Sequence, residues 1–182
     1  MPRWPMPSDT EAFPEETRAA VRHILKTRNG MPPPSRDLPY AGQAGALRSD
    51  LVDHPHSHTS LTAAETELAI GTSARASDAN DSWNGHARLG RQAGVREEAL
   101  RAVDTQGPLD GLTADEARTI RFGRELLESP RVSDETCTAV RARCGERGLL
   151  ERTAVMRVDM MHAAILRAVD HRAADARPLT PR

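Results

Sequence analysis

Aromatic side chains are almost missing from these 182 residues: Trp4, Trp83, Tyr40, Phe13 and Phe122 amount to 3%. A sheet core leans on aromatic and β-branched residues, so this core has to be built from Ala, Leu, Val, Ile and Met, which suits closely packed helices. Cysteine is nearly as scarce. Cys137 and Cys144 are too few for the disulfide framework of a small secreted domain. No stretch approaches the roughly 20 apolar residues of a membrane span. The opening MPRWPMPSDTEAF holds no apolar run of the signal-peptide kind. The expected compartment is the cytoplasm, with no membrane partner. An excess of one charge is missing too: 25 Lys and Arg face 26 Asp and Glu, a net charge of −1. Such a balance excludes nucleic-acid binding driven by bulk charge. The apolar share, 38%, is low for a self-sufficient monomer.

What the chain does have is helical periodicity, with no alternating strand pattern anywhere. The expected fold class is all-α, a bundle of about six to eight helices. The first helix is predicted over Glu11–Arg28, with Pro14 in its first turn and Asn29-Gly30 as its stop. Residues 31–60 are the least regular, rich in Pro and Gly, with a short helix at Ala46–Val52. Two capping boxes follow, Thr62-Ala63-Ala64-Glu65 and Thr113-Ala114-Asp115-Glu116. In each, the hydroxyl can satisfy a free amide and the Glu can reach back. They open helices to Ala76 and Glu128. Between them lie a helix from Asp78 or Ala79 to Gly94 and a short one at Arg96–Val103. Asp134–Cys144 and Leu149–His171 complete the set. The domain reading is an N-terminal helix with a Pro- and His-rich loop over 1–60, a helical domain over 61–172, and a loose tail over 173–182.

Residues 61–103 carry a recognisable pattern. Glu67-Leu68-Ala69-Ile70 sits on one helix. On the next, Trp83 stands three residues before His86-Ala87-Arg88-Leu89. Gly94-Val95-Arg96-Glu97-Glu98 then stops that helix and starts a short one. This order resembles the core of the carboxymuconolactone decarboxylase / alkylhydroperoxidase D-like family. The Leu112–Leu127 helix, the Val132–Glu135 turn and the C-terminal helix with Met161-His162 follow the same ground plan. The resemblance implies an all-helical fold that assembles as trimers or hexamers, with a site near a subunit interface. It also implies one of two activities: decarboxylation of a carboxylated lactone in aromatic-acid catabolism, or peroxide reduction through Cys-x-x-Cys assisted by Glu and His.

The sequence departs from both patterns at the site. The peroxidase cysteines would fall seven and four residues before the His, at Ala79 and Ser82. Neither forms a thiolate, so thiol peroxidase chemistry there is excluded. An alkylhydroperoxidase-like stress role would survive only as one with a lost redox site. Cys137 and Cys144 share a helix stripe with Val140 and read as small apolar residues. Many decarboxylase-like members carry Glu where this chain has Ser82, one turn before His86. Residues one turn apart face each other on a helix, so the Ser82 hydroxyl is within reach of a hydrogen bond with His86.

Each candidate has an ordinary structural reading beside the functional one. Glu67, among Ala63, Ala64, Ile70, Gly71 and Ala74, is either a partly desolvated general acid or base, or half of an ion pair. His86 is a proton carrier or a core histidine. Ser82 is a polar contact, a weakly supported nucleophile, or a packing residue. Trp83 anchors the core or walls a substrate. His162, with Asp159 one turn before it to orient the ring, is a structural pair or a second pocket group. Arg75 would help shape the pocket. His54, His56 and His58 would share a face on an extended backbone, but no fourth metal ligand is visible, so a solvated loop is expected. The expected function is a cofactor-independent, metal-free lyase or isomerase for a small organic acid, lactone or related carbonyl compound. Glu67 and His86 would be catalytic, with Ser82, Trp83, His162 and Arg75 binding the small-molecule substrate. The alternative is a non-catalytic, oligomeric small-molecule binding protein or scaffold.

Overall fold

The computed structural model describes residues 9–28, 38–170 and 178–181. The Asn29-Gly30 stop, the prolines of residues 32–34 and the expected helix end at His171 lie outside them. The described residues are helical with no strand, as the sequence predicts. Among them no helix is long and apolar enough to cross a membrane. The chain forms two compact units, Met1–Ser57 with Ile165–Arg172, and His58–Ala164 with Ala173–Arg182.

In the first unit, short 3-10 turns at Thr10–Ala12 and Glu15–Thr17 lead into α1, Arg18–Arg28. The predicted helix from Glu11 is thus broken around Pro14. Phe13 takes φ −87° and ψ 153°, the extended conformation that a following proline imposes, and Pro14 itself is extended at ψ 143°. A further turn, Leu38–Ala41, precedes α2, Gln43–Ser57, which is longer than the Ala46–Val52 expected. Phe13, Val21, Ile24 and Leu38 are buried, and the Phe13 and Tyr40 rings lie 5.3 Å apart at a 54° tilt. Because α2 runs through Ser57, the backbone at residues 54 and 56 is helical. The extended backbone that the alternation of the loop histidines requires is therefore not present at these two positions.

The second unit is built around α3, Ala63–Ala76, which packs against α4 (Asn80–Gln92), α5 (Glu97–Thr105) and α6 (Ala114–Glu128). Both capping boxes form as predicted. Thr62 N–H and Oγ1–H donate to Glu65 Oε2 at 3.0 and 2.9 Å, and Glu65 N–H donates back to Thr62 Oγ1 at 3.2 Å. Thr113 and Glu116 repeat the arrangement on α6. From Thr66 to Arg75 every residue of α3 is buried, so the helix is enclosed on all sides, and its hydroxyls must find partners within it. Thr72 Oγ1–H donates to the Leu68 carbonyl and Ser73 Oγ–H to that of Ala69.

Close helix approach depends on two glycines. A Cβ at Gly71 would lie 3.3 Å from the Trp83 ring, and one at Gly123 would lie 2.6 Å from Thr72 Cγ2. Trp83 therefore packs across α3 against the cluster of Leu68, Ala87, Val95, Leu100, Val103 and Ile120. A second cluster joins Leu61, Ile70, Phe122, Val140, Val155 and Met156.

The last helix, α7, spans Asp134–Ala168 with a kink at Gly145 (φ 67°, ψ −176°). The two helices predicted here are joined through that one glycine rather than separated by a loop. Cys137 and Cys144 are free thiols, with Val140 between them fully buried and Cys144 packed partly against the second cluster. The expected loose tail is docked where it is described. Leu179 N–H donates to Asn80 Oδ1 at 2.8 Å, and Thr180 N–H and Oγ1–H donate to Asp104 at 3.0 and 2.7 Å.

Candidate functional site

Glu67 lies in the middle of the enclosed α3, and His86 lies two turns into α4. The α3–α4 crossing brings His86 Nδ1 to 2.7 Å from Glu67 Oε2. The Glu67 side chain is 8% exposed and the His86 ring 22%. The carboxylate is thus sheltered while the imidazole edge remains reachable. Gly90, one turn beyond His86, packs beside the pair: a Cβ there would make ordinary contact with Glu67 Cβ at 3.6 Å and Val95 at 3.5 Å. An ionised carboxylate only accepts hydrogen bonds, so this contact places a proton on Nδ1.

Ser82 does not supply the hydrogen bond to His86 that the spacing suggests. Its Oγ–H donates instead to Asp159 Oδ1 on α7 at 2.8 Å, with both residues buried. That contact ties α7 to α4. His86 and His162 each lie about one helical turn from that contact, and His162 is half-buried. Trp83 is half-buried against the first cluster. Arg75 is buried and faces Asp78 at 3.6 Å, just past the end of α3. Glu67 and His86 are therefore brought together directly, and Ser82 is brought to Asp159. Arg75 is engaged at the far end of α3. Among the described residues no three His, Cys, Asp or Glu side chains converge as a metal site.

A second polar cluster was not read from the sequence. Arg152 on α7 is 1% exposed. Its guanidinium donates to Thr119 Oγ1 on α6 and, at 3.0 Å, to Glu65 Oε1. Glu65 thus closes the α3 cap with one oxygen and neutralises a buried arginine with the other. The available signal was an arginine at helical spacing from Val155 and Met156, on a face that should be apolar. Nearby, Arg96 donates to Glu116 through Nε and Nη2, and Arg143 Nε donates to Asp115 at 3.1 Å.

Burial pushes the carboxylates of this cluster up, but their hydrogen bonds win. Glu116 is held at about 2 by Arg96 and by the backbone and hydroxyl of Thr113. Glu65 is lowered by Thr62 and Arg152, and Asp115 by Arg118 and Arg143. Between these groups opens a cavity of about 350 Å³ whose lining includes Ala64, Leu68, Val95, Thr119, Arg96 and Arg143.

Compared with known proteins, the chain matches no protein-family model and no curated protein. The case for function therefore rests on these side chains and on the motif that carries them.

Proposed function

We propose that this protein is a relative of the carboxymuconolactone decarboxylase / alkylhydroperoxidase D-like proteins that lacks their Cys-x-x-Cys pair. In this reading it is a cofactor-independent acid–base lyase or isomerase acting on a small organic acid, lactone or related carbonyl compound. The observation that carries the proposal is the 2.7 Å contact between Glu67 and His86, a sheltered carboxylate against a reachable imidazole. Glu67 fixes the ring tautomer, and His86 Nε2 takes a proton from the carbon acid or returns one to it. Enolisation and decarboxylation share this need, because both pass through an enolate-like charge. The Ser82–Asp159 contact, one turn away, supplies a polar wall for substrate. Thiol chemistry has no part in it, since Ala79 and Ser82 occupy the positions it would require. The working protein is a homo-oligomer, a trimer or hexamer. The exposure of Leu47 and Leu51, one turn apart on α2, supports association, and light scattering after gel filtration tests it.

The acid–base reading is tested by deuterium exchange. Pyruvate, acetoacetate and an unsaturated carboxylated γ-lactone are incubated with the protein in D2O, following C–H loss by proton NMR and carbon dioxide release. Exchange or decarboxylation that disappears in Glu67→Gln and His86→Gln, with both variants folded, supports the proposal. Rates equal in wild type and both variants for every compound would sink it.

A second reading, a non-catalytic small-molecule binding protein, is favoured by a different observation. The described cavity beside α3 is lined by neither Glu67 nor His86.

A further inference from the structure

The cavity of about 350 Å³ at the start of α3 and α6 has two kinds of wall. Ala64, Leu68 and Val95 make one side apolar, with Leu68 and Val95 belonging to the buried core. Arg96 and Arg143 stand on the other, 40% and 45% exposed. The helix ends themselves are closed by their own capping boxes, so they offer no free amides through those bonds, and the arginines must supply the recognition. Arg143 bonds Asp115 through Nε alone, and neither of its Nη groups has a hydrogen bond to a described residue. Arg96 spends Nε and Nη2 on Glu116 and the Gly111 carbonyl, and its Nη1 likewise has no such bond.

The charge balance narrows the ligand. Arg96 and Arg143 line the cavity together with Glu65, Asp115 and Glu116, and each of these carboxylates already has an arginine partner: Arg152 for Glu65, Arg118 and Arg143 for Asp115, and Arg96 for Glu116. With the carboxylates so engaged, the unspent Nη groups of the two arginines can take one carboxylate, whereas a phosphate dianion would meet three carboxylates already in place. The volume is in the range of pockets that enclose small organic ligands, and the apolar wall calls for a hydrocarbon body.

We propose that this cavity is a binding site for a small monocarboxylate with an apolar body, its carboxylate held by Arg143 and Arg96 and its hydrocarbon part laid against Ala64, Leu68 and Val95. The site stands apart from the acid–base pair and holds whether or not Glu67 and His86 turn over a substrate.

The test is calorimetric titration of the full chain with butyrate, benzoate and phenylacetate, with benzamide as the uncharged control. At least one acid is expected to bind in the millimolar range or better, and benzamide at least about tenfold more weakly than benzoate, since charge-assisted bonds carry the recognition. Arg143→Gln, at a half-exposed position, should weaken binding about tenfold or more without moving the melting temperature. Ala64→Met, which fills the cavity and leaves every charge in place, should abolish binding. Glu67→Gln should leave it unchanged.

Failure of all three acids to bind at about 10 mM overturns the proposal. So does undiminished binding in folded Arg143→Gln and Ala64→Met. Loss in Glu67→Gln equal to that in Arg143→Gln would move the ligand to the acid–base pair and also overturns it.

Discussion

Acid should strip stability from the α6 cap in a way that one substitution removes. Burial pushes the Glu116 carboxyl up, but Arg96 and Thr113 together hold it at about 2, against the usual 4.5. A group with a depressed folded-state pKa contributes stability that is fully present above about 4.5 and is lost as the pH falls toward 2. A gap of about 2.5 pH units corresponds to at most about 3.4 kcal/mol. The Arg96 side chain is 40% exposed, and solvent screening reduces the figure to about 2 kcal/mol. Linkage places more than half of that loss above about pH 3. Urea unfolding of wild type and Glu116→Gln at neutral pH and near pH 3 measures it. Near neutrality the variant should be about 2 kcal/mol less stable, and by about pH 3 the difference should shrink to below ~1 kcal/mol. Gln keeps a capping side chain, so the pH-dependent part isolates the charge. A difference of the same size at both pH values would refute the ionic account of this cap.

Three glycines make contrasting predictions in the same urea assay. Gly123→Ala places a Cβ 2.6 Å from Thr72 Cγ2 and 3.0 Å from Met156 Cε. Thr72 is pinned by its bond to the Leu68 carbonyl, so the overpacking should outweigh the helix-propensity gain and cost about 1–2 kcal/mol. Gly85→Ala meets no described atom within 4 Å and should stabilise by about 0.5–1 kcal/mol; equal effects at the two sites would contradict the packing described between α3 and α6. Gly145→Ala forces a side chain into φ 67°, ψ −176° and should cost about 1–3 kcal/mol, so a fully stable variant would mean that α7 straightens.

The helices were legible where the signal was local. Thr62 with Glu65, and Thr113 with Glu116, announce two helix starts because a capping box is complete within four residues. The start of the chain was harder. Pro14 is compatible with a first helical turn or with the extended link that forms, and the choice depends on how Phe13 is buried against the first unit. The docked tail at Leu179 and Thr180 was invisible because its partners, Asn80 and Asp104, are about a hundred and about seventy-six residues away. At the site, Glu67 and His86 were named from a motif, and their meeting depends on the α3–α4 crossing, where Gly71 makes room for the Trp83 ring. Ser82 was named as a polar contact with its partner left open. Spacing along one helix proposes His86, whereas α7, remote in sequence, delivers Asp159.

Glu65 and Glu67 stand two residues apart on α3, and the nature of their partners separates their roles. Glu65 faces Arg152, a cation that keeps its charge at any accessible pH, buried to 1% exposure. A proton cannot usefully move in that pair, and its task is to balance a buried charge and close a helix. Glu67 faces His86, and an imidazole ring can both donate and accept a proton where a guanidinium only donates. Substituting each by Gln should therefore produce opposite results. Glu65→Gln leaves the Arg152 guanidinium without its counter-charge and should cost about 3–5 kcal/mol. Glu67→Gln still offers a hydrogen bond to His86 and should cost about 1 kcal/mol, while abolishing carbon-acid exchange through loss of the carboxylate that fixes the ring. Melting temperature and deuterium exchange, read on both variants, give a two-way comparison. If Glu67→Gln melted early and Glu65→Gln were as stable as wild type, Glu67 would be the structural charge of α3, and the acid–base reading of its contact with His86 would fall with it.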